Sequence, residues 1–323
     1  MKVVVTGGAG FIGSHLVKKL IDGGRDVVVI DDLSRGSRAN LLDLGVGLPD
    51  DVQIEVFDLR NDGKELYGIM DGACTVFHLA ARIGSVDYLH GSNLAELMAF
   101  QDNVRIDANV FRACMKSSVD KIVYASSVSV YPMTKQGCEG TVFNERDMNY
   151  QNPDGGYGWA KMLGEYQLGL MDDTKISIAR IFNIYGPCSA IDETAQVIPA
   201  LIRKAVRYPK EDFVVWGTGK QSRDFTYVSD CVDALILLEK NADKPPLIVN
   251  VGSGVSTYTD DIAQQIKNIS NKTMLMRFDR NRTIGTVSRT ADVTKLLSLG
   301  WKRKVTLDEG LRLTYKWLEK RLG

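Results

Sequence analysis

The sequence predicts an α/β fold: a doubly wound parallel sheet with a smaller, discontinuous substrate-binding domain. Apolar segments alternate with helix-length segments through the first half, a glycine-rich turn follows the first of them, and an acid ends the second. The segments are apolar on every residue rather than on alternate ones, which indicates strands covered by helices on both faces. The strand candidates are Val3–Val5, Val27–Ile30, Ile54–Phe57, Thr75–His78, Lys121–Ala125 and Ile176–Arg180.

The glycine-rich turn leads from the first strand candidate into a helix candidate. Residues 6–13, Thr-Gly-Gly-Ala-Gly-Phe-Ile-Gly, contain a Gly-x-Gly-x-x-Gly pattern. Backbone N–H groups of such a turn can close on a diphosphate, which also faces the positive end of the helix. Glycine turns occur without ligands too, so the pattern counts only in its context. The predicted cofactor-binding residues of the turn are Gly7, Gly10, Phe11, Ile12 and Gly13.

An acid about twenty residues further on supplies that context. Asp31 stands at the carboxyl end of the second strand candidate, and Asp32 follows it as a second cofactor residue. A carboxylate here accepts hydrogen bonds from both ribose hydroxyls of adenosine and repels a 2′-phosphate, so NAD is favoured over NADP. Arg35 is the nearby cation that would argue for NADP. Strand, turn, helix, strand and acid in this order predict a Rossmann domain that binds NAD.

Composition excludes several classes of function. In 323 residues, 40 basic side chains balance 40 acidic ones, so no global field recruits nucleic acid or an anionic membrane. No apolar stretch approaches the roughly twenty residues of a membrane span. The first strand candidate begins at once and leaves no room for a signal peptide, so we expect a cytoplasmic protein. The five cysteines form no C-x-x-C pair, and we predict no metal site; they are Cys74, Cys114, Cys138, Cys188 and Cys231.

The second half of the chain breaks the alternation of strands and helices. We expect a dinucleotide-binding domain over 1–182 and 226–251 and a nucleotide-sugar-binding domain over 183–225 and 252–323. The segment from 131 to 153 is long and polar, and we expect a mobile or substrate-covering loop there. The elements predicted in the second half are helix 195–208, strand 213–216, helix 227–240, strand 247–251 and helix 307–322.

A tyrosine and a lysine lie one helical turn apart near the middle of the chain. Tyr157 and Lys161 share one helix face, and Ser127 follows a strand that ends at the ligand-binding edge. In isolation they would be an ordinary aromatic and a capping serine. Hydride transfer from an alcohol to NAD needs a base, and the Lys161 ammonium with the positive nicotinamide ring would lower the tyrosine pKa from about 10. We therefore predict Ser127, Tyr157 and Lys161 as catalytic residues, the last two also contacting the cofactor.

In this order, these motifs resemble an extended short-chain dehydrogenase/reductase of the nucleotide-sugar epimerase/dehydratase branch, over essentially the whole chain. The resemblance implies that Asp58 and Leu59 contact adenine and that Ala80 and Ala81 line the pyrophosphate and ribose. It also implies that Asn103 supports the cofactor. The motifs that carry it are the glycine-rich turn, the acid, Asp58-Leu59, His78-Leu79-Ala80-Ala81, Ser126-Ser127-x-x-Val130-Tyr131 and Tyr157-x-x-x-Lys161.

The resemblance further implies where a nucleotide sugar binds. Asn183 matches the substrate loop of the family, and Arg223 matches a phosphate clamp, since a planar guanidinium binds a diphosphate bidentately. A salt bridge to Asp224 is the alternative role of Arg223. Arg289 is the second choice for the clamp. The predicted substrate-binding residues are Ser127, Ser129, Asn183, Val197, Arg223 and Arg289.

Residues that related enzymes use for other reactions are missing from this chain. Sugar 4,6-dehydratases carry an acidic pair where this chain has Val128 and Ser129, and the decarboxylase glutamate is also missing. GDP-mannose 3,5-epimerases have similar local sequence motifs. However, Ser129 and Val197 stand where those enzymes have a cysteine and a lysine. The set for C4 epimerisation is complete, with a UDP-sugar favoured.

Other interpretations stay open: a GDP-mannose 3,5-epimerase-like enzyme, an NDP-sugar oxidoreductase, or a non-catalytic dinucleotide-sensing protein. By the same resemblance, we expect a homodimer that associates through helices 94–116 and 157–171 of each subunit.

Overall fold

The computed structural model describes residues 1–136, 138–282 and 285–322. The strands within these ranges are β1 (Lys2–Thr6), β2 (Asp26–Asp31), β3 (Gln53–Val56), β4 (Ala73–His78), β5 (Lys121–Ser127), β6 (Val142–Phe143), β7 (Lys175–Ile181), β8 (Asn183–Tyr185), β9 (Val214–Trp216), β10 (Ser222–Tyr227), β11 (Leu247–Val251), β12 (Ser256–Tyr258), β13 (Arg277–Asp279) and β14 (Ser288–Ala291). The α-helices are α1 (Phe11–Asp22), α2 (Arg38–Asp43), α3 (Lys64–Met70), α4 (Val86–His90), α5 (Asn93–Lys116), α6 (Met133–Gln136), α7 (Gly155–Gly169), α8 (Val197–Arg207), α9 (Val228–Lys240), α10 (Thr259–Ser270), α11 (Thr294–Ser298) and α12 (Leu307–Leu322).

A seven-stranded parallel sheet forms the larger part of the fold. Its strand order is β11-β7-β5-β4-β1-β2-β3, and the predicted α/β doubly wound sheet is confirmed. From β1 the chain winds outward to β2 and β3 on one side, then returns to β4 on the other. The reversal opens a crevice at the carboxyl ends of β1 and β4, where ligands bind in folds of this type.

Helices cover both faces of this sheet with apolar side chains. Leu16 of α1 and Leu235 of α9 pack on one face. Val110 and Phe111 of α5 pack with Leu168 of α7 on the other. Because each face is buried, the strands carry apolar residues in succession, as their sequence pattern indicated.

The second half adds small sheets and a separate core. Strand β10 lies between β12 and β14, pairs with β8, and so connects the two halves of the chain. Ile202 of α8, Ile262 of α10 and Leu311 of α12 form a core beside β9. The domain boundaries given above remain a prediction.

The segment from 131 to 153 differs from the expected loop. Tyr131 and Phe143 are fully buried and stacked, with ring centroids 4.6 Å apart. The Tyr131 hydroxyl donates to Asn250 Oδ1 (2.5 Å), whose amide donates to the Phe143 carbonyl (2.7 Å). Tyr131 and Phe143 therefore anchor this segment in the core, whereas other described positions, such as Glu139 and Tyr150, are exposed.

Candidate functional site

A cleft of about 1660 Å³ extends from the glycine-rich turn across the carboxyl ends of the main strands to α8 and β9. It brings together eighteen of the twenty predicted site residues. The two others, Asn103 and Lys161, are buried behind its wall. The residues that line it are Gly7, Gly10, Phe11, Ile12, Gly13, Asp31, Asp32, Asp58, Leu59, Ala80, Ala81, Ser127, Ser129, Tyr157, Asn183, Val197, Arg223 and Arg289.

The glycines of the turn leave no room for a side chain. Gly7 has φ +69°, and a Cβ there would lie 2.8 Å from the Ala80 nitrogen. A Cβ on Gly13 would lie 2.0 Å from the Gly7 carbonyl oxygen. The turn is thus pressed against both α1 and the loop after β4, and its backbone forms the cradle that a diphosphate needs.

The acid after β2 is held by the same turn. The Asp31 carboxylate accepts hydrogen bonds from the Ala9 N–H (3.0 Å) and the Leu33 N–H (2.9 Å). Burial raises the pKa of Asp31, while these bonds act in the opposite direction. Arg35 turns to Thr194, with a 2.7 Å hydrogen bond, and lies 5.0 Å from the centre of the Tyr88 ring. Its contacts in the structure are therefore with the loop before α8 and with α4.

The predicted adenine and ribose contacts line the cleft from the loops that follow β3 and β4. The Asp58 carboxylate is paired with Arg60 (2.8 Å), which lowers its pKa. Asn103 reaches the cleft only indirectly: its amide accepts from the Arg82 N–H (2.9 Å) and donates to the Arg82 carbonyl (3.0 Å). It fixes the loop that follows Ala80 and Ala81, and so supports the wall from behind.

Ser127 and Tyr157 meet at the centre of the cleft. Strand β5 delivers Ser127, whose hydroxyl accepts a 3.1 Å hydrogen bond from the Ser129 N–H. Burial raises the pKa of Tyr157, and a hydrogen bond with Ser127 acts in the opposite direction. The sequence predicts a lower tyrosine pKa from Lys161 together with the positive nicotinamide ring. Within the protein itself, the cost of desolvating a phenolate dominates and raises this pKa.

Lys161 lies one turn further along α7, beneath the surface of the cleft. It is 1% exposed, and its Nζ has no hydrogen-bond partner among the described residues. A buried ammonium without an acceptor is costly unless a ligand supplies one. Together with the glycine cradle, this nitrogen fits a dinucleotide bound with a ribose hydroxyl near Lys161.

Two arginines approach the opposite end of the cleft. Arg223 Nη1 donates to the Ser222 carbonyl (2.7 Å), and the Asp224 carboxylate accepts from the Ser253 and Gly254 N–H groups (2.6 and 2.9 Å). Burial lowers the pKa of Arg223 to about 9, and the neighbouring Arg289 adds to this effect. A guanidinium whose charge is disfavoured in this way gains from a bound anion.

Arg289 has a different partner from the one expected of a phosphate clamp. It is hydrogen-bonded to Asp154, the residue that precedes α7, and its Nε is buried without a partner among the described residues. Asp154 also lies 4.0 Å from His90 Nε2, and His90 Nδ1 is 2.5 Å from Glu96 Oε1. A charged cluster therefore surrounds the N-terminus of the helix that carries Tyr157.

Sequence reasoning missed this cluster and the buried Asp107, which lies 4.0 Å from Lys161. His90 and Asp154 have no motif, since only the fold brings α4, α5 and α7 together. Asp107 carried a detectable signal: it lies one turn after Asn103 on the same helix face, where a buried acid is unusual.

Across the described ranges, no group of three or more histidine, cysteine or acidic side chains is arranged to hold a metal ion. No helix in the same ranges is both long and apolar enough to span a membrane.

Comparison with known proteins identifies the family. Residues 3–252 match the NAD dependent epimerase/dehydratase family. The solved UDP-glucose 4-epimerase of Thermotoga maritima, with UDP-glucose, is similar with a TM-score of 0.87 and 28% identity over 100% of both chains. The UDP-N-acetyl-alpha-D-glucosaminuronate decarboxylase of Bacillus cytotoxicus is 32% identical over 98% of this chain and 97% of its own. The GDP-mannose 3,5-epimerase of Arabidopsis thaliana is 27% identical over 100% of this chain and 83% of its own.

These relatives match this chain over nearly its whole length but are named for different reactions. The family match agrees with the resemblance found in the motifs. The chain therefore belongs to the NAD dependent epimerase/dehydratase family, and NAD is its cofactor.

Proposed function

We propose that this protein is a nucleotide-sugar epimerase that inverts C4 of an NDP-hexose, with a UDP-sugar favoured, through a transient 4-keto intermediate. The observation that carries the proposal is the arrangement of one cleft. The glycine cradle lies at one end, Arg223 lines the other, and the Ser127 and Tyr157 hydroxyls lie between them. A C4 epimerase needs these parts and no additional acid at Val128 or Ser129.

Some residues of the site would hold the cofactor, and others act on the substrate hydroxyl. Bound NAD supplies an acceptor and donor for the C4 hydride. The turn from Gly7 to Gly13 would hold its diphosphate, Asp31 its adenosine ribose, and Lys161 its nicotinamide ribose. Tyr157 takes the 4-hydroxyl proton as the hydride leaves C4, and Ser127 hydrogen-bonds the same oxygen.

The second half of the reaction reverses these steps on the other face of the sugar. Arg223 keeps the diphosphate bound while the 4-keto sugar rotates about that tether. Tyr157 then returns its proton to the 4-oxygen as the hydride returns to C4. No atom is gained or lost, and NAD is regenerated.

The main alternative, 3,5-epimerisation, requires groups that exchange protons at carbon. Ser129 is too weak an acid for this, and Val197 cannot act as one. Among the described residues that line the cleft, the cysteine is Cys188, and burial raises the pKa of its thiol to about 12. A thiol held in its protonated form is a poor base for a carbon acid, so this site favours chemistry at C4.

Deuterium incorporation distinguishes the reactions. We expect the purified protein, incubated in D₂O with UDP-glucose, to give UDP-galactose without deuterium at carbon, because the hydride stays within the site. Deuterium at C3 or C5 of GDP-mannose would instead show 3,5-epimerisation, loss of CO₂ from UDP-glucuronic acid would show a decarboxylase, and stoichiometric NADH would show a net oxidoreductase. Tyr157→Phe should abolish turnover while retaining NAD. If no UDP- or GDP-hexose is converted, the proposal is wrong and a dinucleotide-sensing role becomes the better hypothesis.

We also propose that the protein is a homodimer through α5 and α7. Large apolar side chains are exposed on these helices, as at Leu94 (65%), Leu97 (49%), Trp159 (43%) and Tyr166 (53%). Covering such a surface is favourable. Sedimentation velocity at low protein concentration should show a dimer, and a monomer would contradict the proposal.

A further inference from the structure

Behind the cleft, a buried chain of polar side chains joins the glycine-rich turn to Lys161. Thr6, His78 and Lys161 belong to the motifs described above, whereas Asp107 and Tyr124, which connect them, do not. None of its members is more than 1% exposed. In order from the turn, they are Thr6 at the end of β1, His78 at the end of β4, Asp107 on α5, Tyr124 on β5 and Lys161 on α7.

The donor and acceptor roles of these side chains determine in which direction each hydrogen bond points. Asp107 Oδ1 lies 3.0 Å from His78 Nε2, so that nitrogen carries the proton and donates it. Burial lowers the pKa of His78, so the ring is neutral and its Nδ1 is an acceptor. The Thr6 hydroxyl donates to this Nδ1 (2.6 Å) and accepts from the Ala80 N–H (3.2 Å). Every proton therefore points towards Asp107.

Asp107 receives a second donor from β5. The Tyr124 hydroxyl donates to its Oδ2 (2.5 Å), and burial raises the pKa of Tyr124 well above its ordinary value. Burial alone would raise the pKa of Asp107. The Lys161 charge and the bonds from His78 and Tyr124 outweigh this and lower it. Asp107 is thus a fully buried carboxylate anion.

Lys161 is the cation that faces this anion. Its Nζ lies 4.0 Å from Asp107 Oδ1 and 4.5 Å from the centre of the Tyr124 ring. The other nearby carboxylate, Glu165, is already bound to Arg180 (2.7 Å). Burial lowers the pKa of Lys161, and Asp107 is the main influence against it.

We propose that Asp107 is a positioning residue that keeps Lys161 protonated and directs its ammonium at the nicotinamide end of the cleft. Through His78 and Thr6 it also ties Lys161 to the strand end that precedes the phosphate-binding turn. The effect on turnover rests on the proposed function. The charge state of Lys161 does not, because it is a property of the folded chain.

The geometry predicts a specific pattern of pKa changes. Groups that face Lys161 come from each packed element: His78 from β4, Asp107 from α5, Tyr124 from β5, and Tyr157 and Glu165 from α7. The Asp107 charge favours the Lys161 ammonium and opposes the Tyr157 phenolate. A neutral residue at 107 should therefore lower both pKa values, whereas a purely structural role would move neither.

The test compares Asp107→Asn with Glu239→Gln. Glu239 is a matched control because it too is a buried acid, bonded to Thr75 (3.0 Å) and Arg25 (2.9 Å), but it is not among the charges that act on Lys161. NMR of protein labelled at lysine Cε would follow the titration of Lys161, assigned through Lys161→Arg. An opposite charge at this distance shifts a pKa by roughly 1–3 units, so Asp107→Asn should lower that of Lys161 by at least about one unit.

Either of two outcomes would overturn the proposal. An unchanged Lys161 pKa in a folded Asp107→Asn protein overturns it, whatever reaction the enzyme catalyses. An equal shift in Glu239→Gln overturns it as well. Should the amide variant not fold, Asp107→Ser removes the same charge with a smaller side chain and must give the same shift. In an active enzyme, both limbs of the kcat–pH profile should also move to lower pH in the Asp107 variant, and neither in the control.

Discussion

Replacing Gly13 by alanine should disrupt NAD binding through one steric contact. The added Cβ would lie 2.0 Å from the Gly7 carbonyl oxygen, which is 1.4 Å short of the 3.4 Å where ordinary contact begins, and 2.8 Å from Gly8 Cα. Both neighbours are backbone atoms, so no rotamer change can relieve the contact. Helix α1 must move away from the turn, or the turn must open.

The size of the effect follows from what that movement breaks. Overpacking a tightly packed site costs about 1–3 kcal/mol of folding free energy. The N–H groups of the turn donate charge-assisted hydrogen bonds worth roughly 1.5–3 kcal/mol each. Losing one of them would weaken NAD binding by about 10- to 100-fold.

Gly68 in α3 provides the matched control for Gly13→Ala. A Cβ there meets no heavy atom within 4 Å, and alanine in a helix interior is favoured over glycine by about 0.5–1 kcal/mol. Gly68→Ala should therefore keep NAD affinity and raise Tm slightly. Calorimetry with NAD and thermal unfolding measure both quantities. If Gly13→Ala binds NAD as tightly as the unaltered protein, the steric argument for the cradle fails.

Three further predictions concern Arg223, Asp31 and His15. Arg223→Met should raise KM for the nucleotide sugar by about 10- to 100-fold with NAD content unchanged, since a charge-assisted hydrogen bond contributes roughly 1.5–3 kcal/mol; an unaltered KM would count against the clamp. Asp31→Ala should weaken NAD binding by about tenfold or more, as measured by calorimetry, and an unchanged affinity would remove Asp31 from the site. Burial lowers the pKa of His15 below 6.5, so the unfolded chain takes up a proton first as pH falls. The free energy of unfolding should then decrease below pH 6.5, and denaturant titrations of His15→Gln should show a shallower decrease; an equal slope would refute this.

The sheet could be predicted from the sequence because its cause is local. Its central strands, such as β1 and β2, contain short runs of apolar residues, and burial on both faces requires such runs. The glycine-rich turn was readable for a similar reason: Gly7 needs a positive φ, and Gly13 needs the absence of a side chain. Each of these requirements restricts the residue type at a single position, so it can be recognised in the sequence.

Charge states could not be predicted in this way, because they depend on contacts between distant segments. Tyr157 was expected to be acidified by Lys161 together with the positive nicotinamide ring, and burial within the protein acts against this by raising its pKa. Asp107, fifty-four positions before Lys161, is the group that offsets desolvation of the lysine. The packed segment around Phe143 was missed for the same reason, since its partner Asn250 comes from β11.

Burial opposes both charges that the proposed reaction needs. It raises the pKa of Tyr157 and lowers that of Lys161, and Asp107 corrects only the second, since its charge also opposes the phenolate. Tyr157 therefore depends on a further positive charge beside it in order to act as a base. It would give up its proton most readily next to an oxidised, cationic nicotinamide and hold it next to a reduced, neutral one. Proton transfer by Tyr157 would thus follow the redox state of the cofactor, taking a proton when hydride leaves the sugar and returning it when hydride comes back.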